Sequence, residues 1–481
     1  MLSRPFRRFV ARLRAAVGSD AAGLRQALAA LLVSSGGDLL AGLTLGAITG
    51  TLEALPGLLV LVPAAIGMRG NIFGALGSRL GTSIHTGTFS LSRRRDTVVG
   101  QNVVASIALT LFVSAALAVL AKSVAGIFGV SETISLADFL VISILGGVLG
   151  SIVVLALTLG VASLSVRRGW DMDNVAAPLV TAAGDMVTLP SLFLATYLVG
   201  IKGVTVTIAL LASVVAVASL VWALRMKLPI VSRILRESVP VLLVAGVVDL
   251  VAGLTIEHQL ESFLAYPALL VLVPPFLEDT GALGSVLSSR LASKLHLGII
   301  APTASPQRAA RDDFAIVALL GIPVFTLVAI SSQIAAAVFG LASPGVANMI
   351  AISLIGGAIA TFFALFIAYY GSIATYRLGL DPDNYGVPLL TSSMDLIAAL
   401  ALIVAILILG IHGPVGPGDR SPVPRRTAAM GNNAACSRQP CSTTTDAPTR
   451  WRRSTRSPTS SGGTARSCGS MPSTRPMTTS T

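Results

Sequence analysis

Apolar residues in this chain fall in long unbroken runs rather than in the one-sided stripes of surface helices. A helix needs about 20 such residues to cross a hydrocarbon core roughly 30 Å thick. Eleven runs qualify, at about 26–50, 53–68, 98–121, 136–165, 175–200, 203–224, 237–257, 262–278, 314–340, 347–375 and 386–411. The second and eighth are short and contain proline. No Lys or Arg falls inside any of the eleven. The pattern predicts an all-α polytopic membrane protein with eleven transmembrane helices.

Composition agrees: 53% of the 481 residues are hydrophobic and 12% charged, against roughly 25% charged in ordinary soluble domains. A water-soluble globular enzyme is excluded. The net charge of +12 would suggest a nucleic-acid partner, but residues 412–481 alone hold ten basic residues and two acids. That tail, rich in Ser, Thr, Pro and Arg, cannot bury a core and is expected to be disordered. It also holds all three cysteines, Cys436, Cys441 and Cys468, at spacings that suggest neither a metal site nor a disulfide framework. Residues 1–25 form a basic segment without a cleavage pattern, read as a cytoplasmic anchor rather than a signal peptide. With the N-terminus inside, the cytoplasmic segments collect 22 basic residues and the outer loops two, Lys122 and Lys202. The positive-inside rule then gives an N-in, C-out protein of the cell membrane.

The chain repeats itself. Pro56–Gly87 aligns without gaps to Pro267–Gly298 with 14 of 32 positions identical, and DLLAGLTL from Asp38 matches DLVAGLTI from Asp249 at the same offset of 211. Asp171–Met186 matches Asp381–Leu396 at 7 of 16 positions, with an offset of 210. Apolar low-complexity sequence yields chance identities, but not polar ones in register: Asp38/Asp249, Arg79/Arg290, Asp173/Asp383, Asn174/Asn384 and Asp185/Asp395 all correspond. The expected organisation is a first five-helix repeat over 26–200, a connecting helix and loop over 201–236, and a second repeat over 237–411. The unmatched sixth span returns the chain to its starting side, so the repeats are parallel, related by a pseudo-two-fold axis along the membrane normal. One chain would then be the working unit, a monomeric pseudo-dimer, with further dimerisation open.

Four carboxylates, Asp38, Asp185, Asp249 and Asp395, fall deep inside predicted spans. A charge there costs at least about 2.5–3.5 kcal/mol, and no span offers a basic partner. Each must be protonated, face water or bind a cation that comes and goes. The plain alternative is a hydrogen bond to a neighbouring helix, which explains one such acid better than four repeated ones. With no cysteine or histidine at depth, oxygen chemistry favours a hard ion. Mg²⁺ keeps several waters and is held by one or two carboxylates; Ca²⁺ or Mn²⁺ would also suit. Secondary candidates are the matched Thr181 and Thr391, together with Asp173, Asn174, Asp383 and Asn384, which read better as helix N-caps. Glu53, Glu257 and Glu261 near the outer ends could enrich cations at a mouth, or be ordinary solvated residues. Pro56/Pro63 and Pro267/Pro274 suggest either broken helices with free carbonyls or simple kinks.

PGLLVLVPAAIGMRGN and SRL within 56–80, with DMDNVAAPLVTAAGDM at 171–186 and DPDNYGVPLLTSSMDL at 381–396, resemble the membrane domain of MgtE magnesium transporters. The resemblance is to the two-repeat form of solute carrier family 41 and covers about residues 30–411. It implies a Mg²⁺ pathway lined by an acid of the last span in each repeat, Asp185 and Asp395, and it brings in Asn71 through the Gly-Asn element Gly70-Asn71. The second repeat departs from it, reading LEDTG at Leu277–Gly281 where the first has GMRGN at Gly67–Asn71, with Met394 in place of Gly184.

The expected function is divalent-cation transport, with Mg²⁺ as cargo, driven as in a channel by the membrane potential. No enzyme activity, organic cofactor or nucleic acid is expected; the partners are the cation and the bilayer. A Na⁺- or H⁺-coupled exchanger is the first alternative. An intramembrane aspartyl protease, which would need two carboxylates sharing a proton, is the remote one, since it does not require four repeated acids.

Overall fold

A computed structural model describes residues 21–90, 94–130, 133–168, 172–379 and 386–411; for 21–33 and 172–179 it gives the helix alone. The basic N-terminal residues, the C-terminal tail with its cysteines, and Asp383 and Asn384 lie outside the described residues.

The described residues form thirteen helices and no strand. In chain order these are α1 (Ala21–Ala47), α2 (Thr49–Ala54), α3 (Leu58–His85), α4 (Val98–Ile127), α5 (Leu136–Arg168), α6 (Met172–Thr196) and α7 (Val204–Arg225). They continue with α8 (Pro229–Glu257), α9 (Leu260–Ala265), α10 (Pro267–His296), α11 (Arg308–Val338), α12 (Val346–Leu378) and α13 (Val387–Ile408). The order of a long helix, a six-residue helix and four more long helices occurs twice, from α1 to α6 and from α8 to α13, with α7 left over. Nine helices among the described residues are long and apolar enough to cross a membrane. α1 and α6, of 27 and 25 residues, each include a stretch whose side chains are not described.

Two predicted spans were drawn too short. The runs at 53–68 and 262–278 are the beginnings of α3 and α10, which continue through Gly- and Ser-rich sequence to His85 and His296. Helix propensity alone would disfavour those glycines, but here close packing outweighs it. Pro63, Pro274 and Pro275 lie inside continuous helices, so the backbone is not broken there. The break comes earlier. The chain turns between α2 and α3, where Gly57 adopts φ +88°, a left-handed conformation that suits glycine; Leu55 before it and its match Tyr266 share nearly the same backbone, φ −124° and −129°.

The two sets of helices interlock. α1 packs against α10 of the second set as well as against α6 of its own, and α8 packs against α3 of the first set as well as against α13. Prolines and glycines make these crossings tight. Pro63 and Pro275 supply no N–H for the carbonyls of Leu59 and Val271. Gly253 of α8 presses on the carbonyls of Leu59 and Val60, and Gly42 of α1 on that of Val271, so that a Cβ at either glycine would collide with backbone. Close Cα–H···O approach partly replaces the missing hydrogen bonds. Glu257, at the end of α8, is buried and accepts a hydrogen bond from the Gly57 N–H at 2.8 Å. Its expected place as a solvated mouth residue is therefore corrected: it caps a helix of the other set. α7 packs on α4 and α5 and leaves a broad apolar face, including Leu210, Leu211 and Val214, exposed.

Candidate ion pathway

Asp38, Asp185, Asp249 and Asp395 sit on α1, α6, α8 and α13. At 1.5 Å per residue, each lies at least about 12 Å from the nearer end of its helix. Because α1 packs on α6 and α8 packs on α13, the four fall into two like pairs, Asp38 with Asp185 and Asp249 with Asp395.

Asp38 and Asp185 are 0% and 2% exposed, and beyond their contact with each other none of their four carboxylate oxygens has a hydrogen-bond partner. The two carboxyls face each other as charged neighbours. Asp249 is 1% exposed; its Oδ1 is without a partner, and the Ser392 side chain of α13 lies beside its carboxyl. Asp395 is half-buried and has Asp249, Glu278 and Asp185 as charged neighbours. For Asp38 and Asp185, a hydrogen bond to a backbone, Ser or Thr donor of a neighbouring helix is not what the structure shows; Asp249 has the Ser392 hydroxyl of α13 beside it.

The pairs differ in what α10 and α3 bring to them. Glu278 and Asp279 of α10 are charged neighbours of Asp38. Asp279 is fully buried, and the Ser35 hydroxyl donates to it in a bifurcated bond, 2.9 and 2.7 Å from its two oxygens. Sequence reasoning missed both acids because the eighth span was closed at residue 278; the signal was present in the departure of LEDTG from the first repeat. In register, Glu278 and Asp279 replace Gly67 and Met68 of α3. A Cβ placed on Gly67 would stand 2.8 Å from Asp249 Oδ2, so the Asp249 carboxylate occupies the room a side chain would need.

The expectation that no span contains a basic residue also fails. Arg69 lies within α3 and is 1% exposed. It donates through Nη1 to the Ala65 carbonyl at 3.0 Å and through Nη2 to the Gly146 carbonyl of α5 at 2.9 Å. Its Nε has no partner, and Asp185 is its acidic neighbour. Gly150 of α5 makes the room, since a Cβ there would come within 2.8 Å of Nε. The guanidinium offsets part of the charge beside Asp185. It was missed because the second span was closed one residue before it.

No three His, Cys, Asp or Glu side chains among the described residues converge closely enough to hold one metal ion directly. The acids form a chain of neighbours, Asp279, Asp38, Asp185, Glu278, Asp395 and Asp249, rather than a chelating cage.

Compared with known proteins, residues 62–195 and 273–405 each match the MgtE family of divalent cation transporters. The chain belongs to the MgtE family. The two matched segments lie one in each set of helices, so this is a two-repeat member. Among MgtE relatives, it is 25% identical over 425 residues to solute carrier family 41 member 2 of Xenopus laevis, covering 81% of this chain and 72% of that one. To the human member 2 it is 25% identical over 390 residues, and to member 3 of Rattus norvegicus 24% over 409. It spans 65% of the human protein's length, under two thirds, and 85% of the rat protein's. No solved structure matches it.

Of the other candidates in this MgtE chain, Thr181 and Thr391 lie one turn before Asp185 and Asp395 on the same helices. Thr391 donates to the Val387 and Pro388 carbonyls of its own helix, and Thr181, half-buried, is already engaged. Asn71 lies one turn along α3 from Gly67 and lines a small cavity with Arg79, Ser238 and Pro388. Glu53 and Glu261 are exposed. The side chains of Asp173 and Asn174 lie outside the described residues.

Proposed function

We propose that this protein carries Mg²⁺ across the cell membrane, with its N-terminus in the cytoplasm, along the acids between its two repeats. The observation that carries this reading is the buried Asp38/Asp185 pair on α1/α6, whose carboxyls have no donor beyond each other, with the Oδ1 of Asp249 on α8 also without a partner. Ionised carboxylates in that state are costly, and a passing cation offsets the cost. Pairs of acids that do not close into a cage suit an ion that keeps most of its water, as Mg²⁺ does. Inward movement of a divalent ion gains about 4.6 kcal/mol per 100 mV, at 2.3 per charge, so the membrane potential is a sufficient drive.

The test is uptake into liposomes that hold the purified protein and a Mg²⁺-sensitive dye, under an inside-negative potential without a Na⁺ or pH gradient. The expected result is a dye response that grows with potential and is lost when Asp185→Asn and Asp395→Asn are combined. Flux that survives both substitutions sinks the proposal. Flux that starts only when a Na⁺ or H⁺ gradient is imposed replaces the channel with a coupled exchanger.

A further inference from the structure

We propose that Glu278 and Asp279 join Asp38 and Asp185 in a four-carboxylate site for a hydrated divalent cation, and that Asp249 with Asp395 is a weaker relay site. This rests on the reading of the acids as an ion pathway and assigns the step that selects the ion. The argument begins with register. One α10 turn in the second repeat carries two acids where the first repeat carries Gly67 and Met68. Because α1 lies against both α6 and α10 and Ser35 of α1 bonds Asp279, the two acids come to the Asp38/Asp185 pair, with Glu278 shared with Asp395 of α13.

Buried groups then point to a ligand. Asp38 and Asp185, at 0% and 2% exposure, offer four oxygens with no donor beyond each other. Ser35 fixes Asp279 beside them. Arg69 supplies one positive charge near Asp185, and its Nε too is unpartnered. A single guanidinium against four carboxylates leaves a deficit that a doubly charged ion offsets better than a singly charged one. Since no three acids converge for direct ligation, several contacts run through the ion's own water, which transmits them with little loss.

On the other side the deficit cannot be built up in the same way. A side chain at Gly67 would meet the Asp249 carboxylate, whose Oδ2 stands 2.8 Å from where its Cβ would be. Glu278 is also a charged neighbour of Asp395, so it stands between the strong site and the weak one, where an ion would be handed over.

The experiment titrates the purified full-length chain with Mn²⁺ as a paramagnetic probe and reads the dissociation constant by electron paramagnetic resonance. Dye flux in liposomes is measured in parallel. Combining Glu278→Gln with Asp279→Asn is expected to weaken Mn²⁺ binding about 10–100-fold, and Asp249→Asn to weaken it less. Glu278→Gln alone, which leaves the Ser35 contact intact, is the second variant and should shift binding in the same direction with an unchanged elution profile. Binding unchanged in Glu278→Gln, or weakened as much by Asp249→Asn, overturns the proposal. If wild-type chains bind Mn²⁺ through Glu278 but show no flux, the site stands and the transport reading falls; flux with Glu278-independent binding gives the reverse.

Discussion

At equivalent places in the two repeats, one stores a cation and the other stores rings. In the first, Arg69 of α3 donates to the Gly146 carbonyl of α5, and its guanidinium fills the room at Gly150. In the second, the α10 residue matching Arg69 is Thr280 and Ala360 stands at the position of Gly150, while Phe276 and Phe325, with rings 5.1 Å apart, pack on Gly356 and Gly357 of α12. The framework around them is the same: Ser143 donates to the Ser114 carbonyl and Ser353 to the Phe325 carbonyl, both at 2.7 Å. Duplication has kept the backbone geometry and exchanged what fills it. The acids follow the same division, since the repeat that holds the arginine faces the four-carboxylate side.

The comparison is broken most severely at Arg69. Arg69→Ala strips a buried charge network of its only described cation, and a loss of about 3–5 kcal/mol is expected, read as denaturant resistance in mixed micelles. Thr280→Ala, at the matching position, removes one hydroxyl bonded to the Phe276 carbonyl at 2.8 Å and should cost about 1 kcal/mol. Equal losses would mean that the two fillings are energetically alike.

Next come the crossings. Gly42→Val and Gly253→Val each push a side chain into backbone carbonyls of the other repeat, and each should cost about 1–3 kcal/mol. Similar losses are expected at both, because here the halves correspond closely; tolerance of either change would show that the crossing can open. The smallest effect lies at the far end of α3 and α10. Arg79 bonds Asn102 at 2.8 Å, whereas Arg290 and Lys294 bond the buried Asp313 at 3.0 and 2.5 Å. Asp313→Asn reproduces the first-repeat pair and should cost about 1 kcal/mol in the same assay, with Mg²⁺ uptake retained.

Much of the fold was legible because hydrophobic run length and in-register polar residues report on the chain locally. The four aspartates were found that way, as unpaired acids at repeated positions. Asp279 and Arg69 escaped because the apolar runs close one residue before them, and Glu278 because it stands at the end of its run, while the helices continue where packing and neighbouring charges tolerate those residues. Glu257 escaped for a different reason: its partner, the Gly57 N–H, lies 200 residues away, and no periodicity encodes that contact. The exchange of partners between α1 and α8 is equally invisible, since each helix reads as apolar whichever repeat it packs on.

That exchange sets a timetable for biosynthesis. α1 is made first, yet α10, one of its main neighbours, ends about 250 residues later in the chain. At about 5–20 residues per second of synthesis, α1 waits roughly 12–50 s in the bilayer with its α10-facing surface, including Asp38, still uncovered by that helix. Lipid or an assisting membrane protein must cover that surface in the interval, and a ribosome stalled between the repeats would release a chain whose first helix has nothing to close against.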